Sequence, residues 1–210
     1  AWLSDLGVLG PNAILGHAIV VGGSSWTNYP AGDVAIMADA GCSVAHAVWV
    51  FARRGIAMES FGAYRRAGVN MSLGTDTNPQ SVIEAMRWAA VVSKIVERET
   101  ESTTAAHVFD AATLGGARAL GRDDLGRIVP GARADLVLWK GDSWGLTPLR
   151  DPVKNIVYNA TAEDVDRVWV NGRLVVEGGH VLAADEKTIF AALQAAGERM
   201  WPRMRQFDWA

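Results

Sequence analysis

The chain is short of cysteine, of histidine and of long apolar stretches, and each shortage narrows what it can be. A single cysteine, Cys42, in 210 residues excludes an intrachain disulfide framework and a cysteine-rich zinc site. It fits a reducing compartment, so a cytoplasmic protein is expected. No run nears the roughly 18 apolar residues of a membrane span, and a formal net charge of −3 gives no electrostatic reason to bind nucleic acid. Neither a membrane nor a nucleic acid is therefore an expected partner. The opening "AWLSDLGVLGPNAILGHAIVV" has no methionine, no basic start and no signal-like apolar core, and reads as a chain that starts in mid-domain. Half of the residues are apolar, which is ample for a packed core.

What is present has two textures. Up to about residue 121, short apolar runs alternate with longer amphipathic ones, the rhythm of parallel strands joined by helices. The runs are "AILGHAIVV" (13–21), "GCSVAHAVWVF" (41–51) and "GVNMSLGTD" (68–76). Helices are expected over 33–40, 55–67 and 79–98. In the last of these, Val82, Ile83, Met86, Ala90, Val91 and Val96 fall near one stripe at helical period. A further helix over 104–112 is expected to stop at Gly115-Gly116. From residue 122 the texture is strands and tight turns: Pro130-Gly131 suits the centre of a type II turn, and Asn171-Gly172 between "RVWV" and "RLVV" is a strong hairpin signal. The expected organisation is an α/β unit over 1–121, a β unit over 122–182 and a C-terminal helix over 183–210.

His17, His46 and Asp76 each sit late in an apolar run, 29 and 30 residues apart, about one βα unit each time. In a (β/α)8 barrel the carboxyl ends of neighbouring strands converge on one mouth, where active sites are built. Histidine with carboxylate suits a hard or borderline divalent metal, or proton transfer. A lone buried histidine at a strand end is more often a satisfied core residue, but three titratable groups at this spacing argue for a shared site. Asp76 could instead cap a helix. Pro79 at the first helical position would make Asn78 the cap, leaving Asp76 two residues too early. His107 and His180 lack this placement and read as structural, Arg53 and Arg54 as a solvated pair, and Cys42 as core.

The stretches "LGHAIV", "VAHAVWVFARRG", "VNMSLGTDTNP", "AATLGGARALGRDDLGRIVPGARADLVLW" and "VDRVWVNGRLVVEGG" together resemble the amidohydrolase superfamily, in the branch of cytosine deaminase, guanine deaminase, adenosylhomocysteine-type deaminases and triazine hydrolases. The resemblance implies the C-terminal portion of a (β/α)8 TIM barrel, about strands six to eight, with part of a small β-sandwich domain. It implies one divalent metal, zinc in first place and iron as the alternative, and hydrolysis of a C–N bond in a small-molecule substrate, such as deamination of a nitrogen heterocycle. A cyclic amidase, a chlorohydrolase and a fragment inactive alone are the alternatives. By position Asp76 matches the strand-eight aspartate, a metal ligand that also moves a proton from the attacking water to the leaving group. His17 matches the strand-six histidine, which binds that water or the developing oxyanion, and His46 the strand-seven histidine, here assigned only to the substrate-facing wall.

Two departures from the family pattern stand out. His46 is followed by "AVWVF" where the family has Asn-Pro and later Ser-Asn. The His-x-His pair of strand one and the strand-five histidine have no counterpart among only four histidines. The expected partner is accordingly the N-terminal part of the same enzyme, with self-association through unpaired strand edges as a second expectation. A zinc deaminase of the small nucleoside type needs P-C-x-x-C, which one cysteine excludes. A barrel-derived scaffold without turnover would be marked by loss of the aspartate in "LGTDT", which is intact.

Overall fold

The computed structural model describes residues 2–58 and 60–204. The chain folds as two compact units, one of residues 1–133 with 140–164, the other of 134–139 with 165–210. These bounds differ from those expected at 121 and 182. Residues 122–133 and 140–164 belong to the α/β unit, partly because helix Pro152–Tyr158 is drawn to it by the side chain of Arg87, which donates to the carbonyls of Val157 and Ala160.

The first unit opens with the short helix α1 (Trp2–Asp5) and then alternates strand and helix: β1 (Ile14–Gly16), α2 (Asp33–Asp39), β2 (Ser43–His46), α3 (Val48–Ala52), α4 (Phe61–Arg66), β3 (Asn70–Leu73) and α5 (Val82–Glu97). The three strands are parallel in the order β1-β2-β3, with Gly16 level with Ala45 and His46 level with Leu73. β2 lies in the middle, and Ser43, Val44 and His46 are buried on it, as befits a parallel strand covered on both faces. Cys42, which precedes β2, is fully buried, as expected. The α/β class of the sequence reading is present; the described residues form this open three-stranded sheet.

Four local expectations change. The run 41–51 is not one strand: the ladder ends at His46 and α3 follows. α5 is capped by the Ser81 side chain, which accepts from Glu84 N at 3.3 Å. Asn78 is not the cap, and Asp76 lies still further from the helix start. The buried face of α5 is Ala85, Met86, Ala89, Ala90 and Ser93, a mostly small-residue surface that lets the helix approach its neighbours closely, whereas Val82, Val91 and Val96 are exposed. Gly115-Gly116 does not break the chain either. Helix α6 (Ala105–Asp110) runs through a π turn over Ala111–Gly115 into α7 (Gly116–Ala119). A Cβ at Gly115 would collide with the Met71 carbonyl oxygen of β3, so this glycine serves close packing.

The first unit closes with α8 (Pro152–Tyr158), whose N-cap Asp151 accepts from Lys154 N, and a 3-10 turn over Ala162–Asp164. The second unit is an antiparallel sheet, β4 (Leu136–Trp139), β5 (Val165–Val170), β6 (Arg173–Glu177) and β7 (His180–Val181), in that order, followed by α9 (Glu186–Met204). Both turn expectations hold. Ala132 N donates to Val129 O across Pro130-Gly131, and Asn171 and Gly172 take φ of 50° and 77°, the left-handed pair a type I′ hairpin requires. The expected C-terminal helix is α9 as far as Met204; residues 205–210 lie outside the described residues.

Candidate active site

Parallel pairing in register brings the ends of β1, β2 and β3 to one level. His17 follows β1 directly and its backbone N–H still donates to Ala45 O on β2 (2.9 Å), while Gly74 N beyond β3 donates to His46 O (3.2 Å). At that level the chain departs from strand geometry: His17, Ala18 and Asp76 adopt φ of 62°, 47° and 58°. Left-handed backbone costs roughly 1–2 kcal/mol for an ordinary residue, least for Asp and Asn. The turn after His17 is held by Tyr64, whose hydroxyl donates to Ala18 O at 2.8 Å.

The result is a meeting of two side chains from non-adjacent strands. His17 Nε2 lies 3.5 Å from Asp76 Oδ2, with 29% and 48% of the side chains exposed. His46, from the strand between them, is 3% exposed. Burial first, and the nearby His17 second, push its pKa down to about 4, so its imidazole is neutral at physiological pH. The Nδ1 atoms of His17 and His46 are both buried and have no hydrogen-bond partner among the described residues. Aromatic rings frame the pair: Phe51 meets His17 edge-on (centroids 4.6 Å, 78°) and Phe61 lies against His46 (5.9 Å, 49°).

His17, His46 and Asp76 are marked by their place in the sequence, whereas Trp49, Phe51, Phe61 and Tyr64 join the site only in the structure. Their signal was the aromatic spacing in "VWVF" and "FGAY", hidden by reading the first as strand. Arg53 and Arg54 are exposed after α3. His107 is structural: its Nδ1 accepts from Thr104 N (3.2 Å) and its N–H donates to Thr104 Oγ1, closing a capping box at the start of α6. His180 contacts Glu186 Oε2 at 3.1 Å inside the second unit. Among the described residues no group of three or more His, Cys, Asp or Glu is placed to hold a metal ion, and no described helix is long and apolar enough to cross a membrane. The donors fit part of a metal site: an accessible carboxylate beside a histidine whose second nitrogen is without a partner.

The described residues define an α/β unit whose parallel strands end in histidine and aspartate, and comparison with known proteins makes its family specific. The chain belongs to the amidohydrolase family, whose model matches residues 4–175. It is 30% identical to the 5'-deoxyadenosine deaminase of Methanothermobacter thermautotrophicus over 95% of its own length and 45% of that protein. With the 5-methylthioadenosine/S-adenosylhomocysteine deaminase of Desulforudis audaxviator it shares 34% identity over 80% of its length and 40% of that protein. Among solved structures it superposes on a zinc-bound adenosine deaminase of Xanthomonas campestris with a TM-score of 0.83 at 28% identity, covering 98% of this chain and 45% of the other. A variant of the atrazine chlorohydrolase of Arthrobacter aurescens, complexed with zinc and atraton, gives 0.81 at 26% identity, covering 92% of this chain and 42% of the other. The chain thus spans under half the length of the relatives it matches.

Proposed function

We propose that this chain carries the proton-transfer end of a metal-dependent deaminase acting on an adenine nucleoside or a related nitrogen heterocycle. The observation that carries the reading is the approach of His17 Nε2 to Asp76 Oδ2 at 3.5 Å, at the carboxyl end of three parallel strands. The relatives' names support the substrate class. In this reading the first unit is the strand-six to strand-eight part of a (β/α)8 barrel, the second is part of a β-sandwich, and the remaining metal donors come from protein beyond these 210 residues.

Asp76 is the residue that would hold the metal, zinc by analogy with the zinc-bound relatives. Such an ion, when bound, supplies Lewis acidity and a water of lowered pKa. The chain's own groups do the rest. The Asp76 carboxylate accepts a proton from the attacking water and passes it to the departing amine, so the C–O bond forms as the C–N bond breaks and ammonia leaves neutral. His17 Nε2, 3.5 Å from that carboxylate, is the ring nitrogen that donates a hydrogen bond to the attacking oxygen, since Nδ1 is buried. His46 stays neutral and closes the floor. The atrazine chlorohydrolase among the structural neighbours supports a second reading, in which Asp76 takes the proton of the attacking water and chloride departs as the anion without receiving it.

Replacing Asp76 with Asn in the complete enzyme tests this. The fold should persist while kcat falls by at least ~10³, equivalent to about 4 kcal/mol of barrier. Turnover near the parent value would sink the assignment, and unchanged activity per folded molecule with lowered stability would mark Asp76 as structural.

A further inference from the structure

α3 follows His46 where the family pattern differs, and its five residues divide cleanly. Val48 and Val50 are 2% and 7% exposed and anchor the helix. Trp49 and Phe51 project from it towards the two groups assigned to chemistry. The Trp49 indole Nε1 donates to the Asn78 carbonyl at 3.2 Å, two residues beyond Asp76. The indole is itself held, packed on Trp88 of α5 with centroids 5.0 Å apart and planes at 44°. Phe51 presses against the His17 ring at 78° and 4.6 Å, an edge-to-face arrangement that fixes relative orientation as well as distance. His17 needs such a contact, because its buried Nδ1 has no described hydrogen-bond partner to set the ring. Asp76 has a like need: it sits half exposed in left-handed backbone, with seven residues from Gly74 to Gln80 between β3 and the cap of α5.

We propose that α3 is a brace: Trp49 positions Asp76 by holding its loop through Asn78, and Phe51 positions His17 by holding its ring. This rests on the proposed roles of Asp76 and His17. Neither aromatic side chain is assigned a contact with substrate; both are positioning residues. Because transition-state geometry must be met to within a fraction of an ångström, loosening either tie should act on turnover more than on substrate binding.

The test uses the complete, zinc-loaded enzyme with 5'-deoxyadenosine as probe and ammonia release as readout. Trp49→Phe removes the indole N–H and keeps an aromatic ring beside Trp88; Phe51→Leu keeps apolar volume and removes the ring. Each should lower kcat by about 10- to 100-fold, the cost of small misplacements, with KM within roughly twofold of the parent. Phe51→Tyr, which keeps the ring edge, should restore most of the loss. The deciding measurement is a double-mutant cycle. Added to Asp76→Asn, Trp49→Phe should cost nothing further, and added to His17→Asn, Phe51→Leu should cost nothing further.

Parental kcat in both aromatic variants, or losses that multiply undiminished in the Asp76→Asn and His17→Asn backgrounds, would overturn the brace. If Trp49→Phe does not fold, the Phe51 and His17 cycle decides alone. Parental turnover in Asp76→Asn would instead overturn the functional reading. An inactive Asp76→Asn beside fully active Trp49→Phe and Phe51→Leu removes the brace and leaves that reading standing.

Discussion

The two units place left-handed backbone in opposite ways. In the second unit it falls on Asn171, Gly172, Gly178 and Gly179, residues that accept it at little cost and that make turns. At the strand ends of the first unit it falls on His17, Ala18 and Asp76, none of them glycine and one of them, Ala18, a residue that left-handed backbone disfavours outright. One unit obeys its local chemistry; the other overrides it where three strands end together. Conflict between local preference and fold tends to collect at functional sites, and here it coincides with the only described close approach of a histidine and an aspartate.

If that comparison is sound, the first unit should respond to changes that leave the second untouched. The largest effect is expected from pH. Above the ordinary value of 6.5 His46 is neutral folded or unfolded, and stability is full. As pH falls from 6.5 towards 4, the unfolded chain takes up a proton that the buried ring refuses, and stability drops until the folded site also protonates near 4. The loss should reach about 3 kcal/mol. Denaturant titrations at pH 7.5 and 4.5 on the parent and on His46→Gln check it; an equal loss of unfolding free energy between the two pH values in both proteins would remove His46 from the account.

His17→Asn should lower kcat of the complete enzyme by about 10²-fold or more, typical of a positioned acid–base group, while zinc content by metal analysis stays at the parent level. Loss of the metal together with the imidazole would make His17 a ligand instead. In the second unit, Asn171→Ala places a residue with no αL preference in the hairpin. About 1 kcal/mol of stability should be lost with kcat unchanged; a fall in kcat would blur the contrast between the units. The smallest effect is expected for Ala18→Gly, which relieves left-handed strain but loosens the unfolded chain. The two oppose, leaving a gain of about 0.5 kcal/mol, and a loss of stability would show that the turn after His17 is not strained.

Much of this contrast was legible in the sequence, and unevenly so. The hairpin at Asn171-Gly172 and the turn at Pro130-Gly131 could be read because their chemistry is local. The level of His17, His46 and Asp76 could be read because strand and helix lengths repeat. What escaped depends on contacts distant in sequence. Gly115 looked like a helix stop, yet its role is set by the Met71 carbonyl some forty residues earlier. α3 was hidden because "AVWVF" is as apolar as a strand, and only the end of the β2 ladder decides otherwise. The cap of α5 at Ser81 lost out to Asn78 because Pro79 suits a first helical position in general, while here Pro79 precedes the helix.

Cys42 has a practical consequence of its own. It is the only thiol in the chain and is fully buried ahead of the central strand, so an alkylating reagent can reach it only when the parallel sheet opens. Its labelling rate therefore reports the opening equilibrium of that sheet at a single, unambiguous position, without any engineered probe. Where reclosing is fast relative to alkylation, the rate divided by that of a free thiol gives the open fraction directly. Mass spectrometry of the intact chain then counts opened molecules one label at a time.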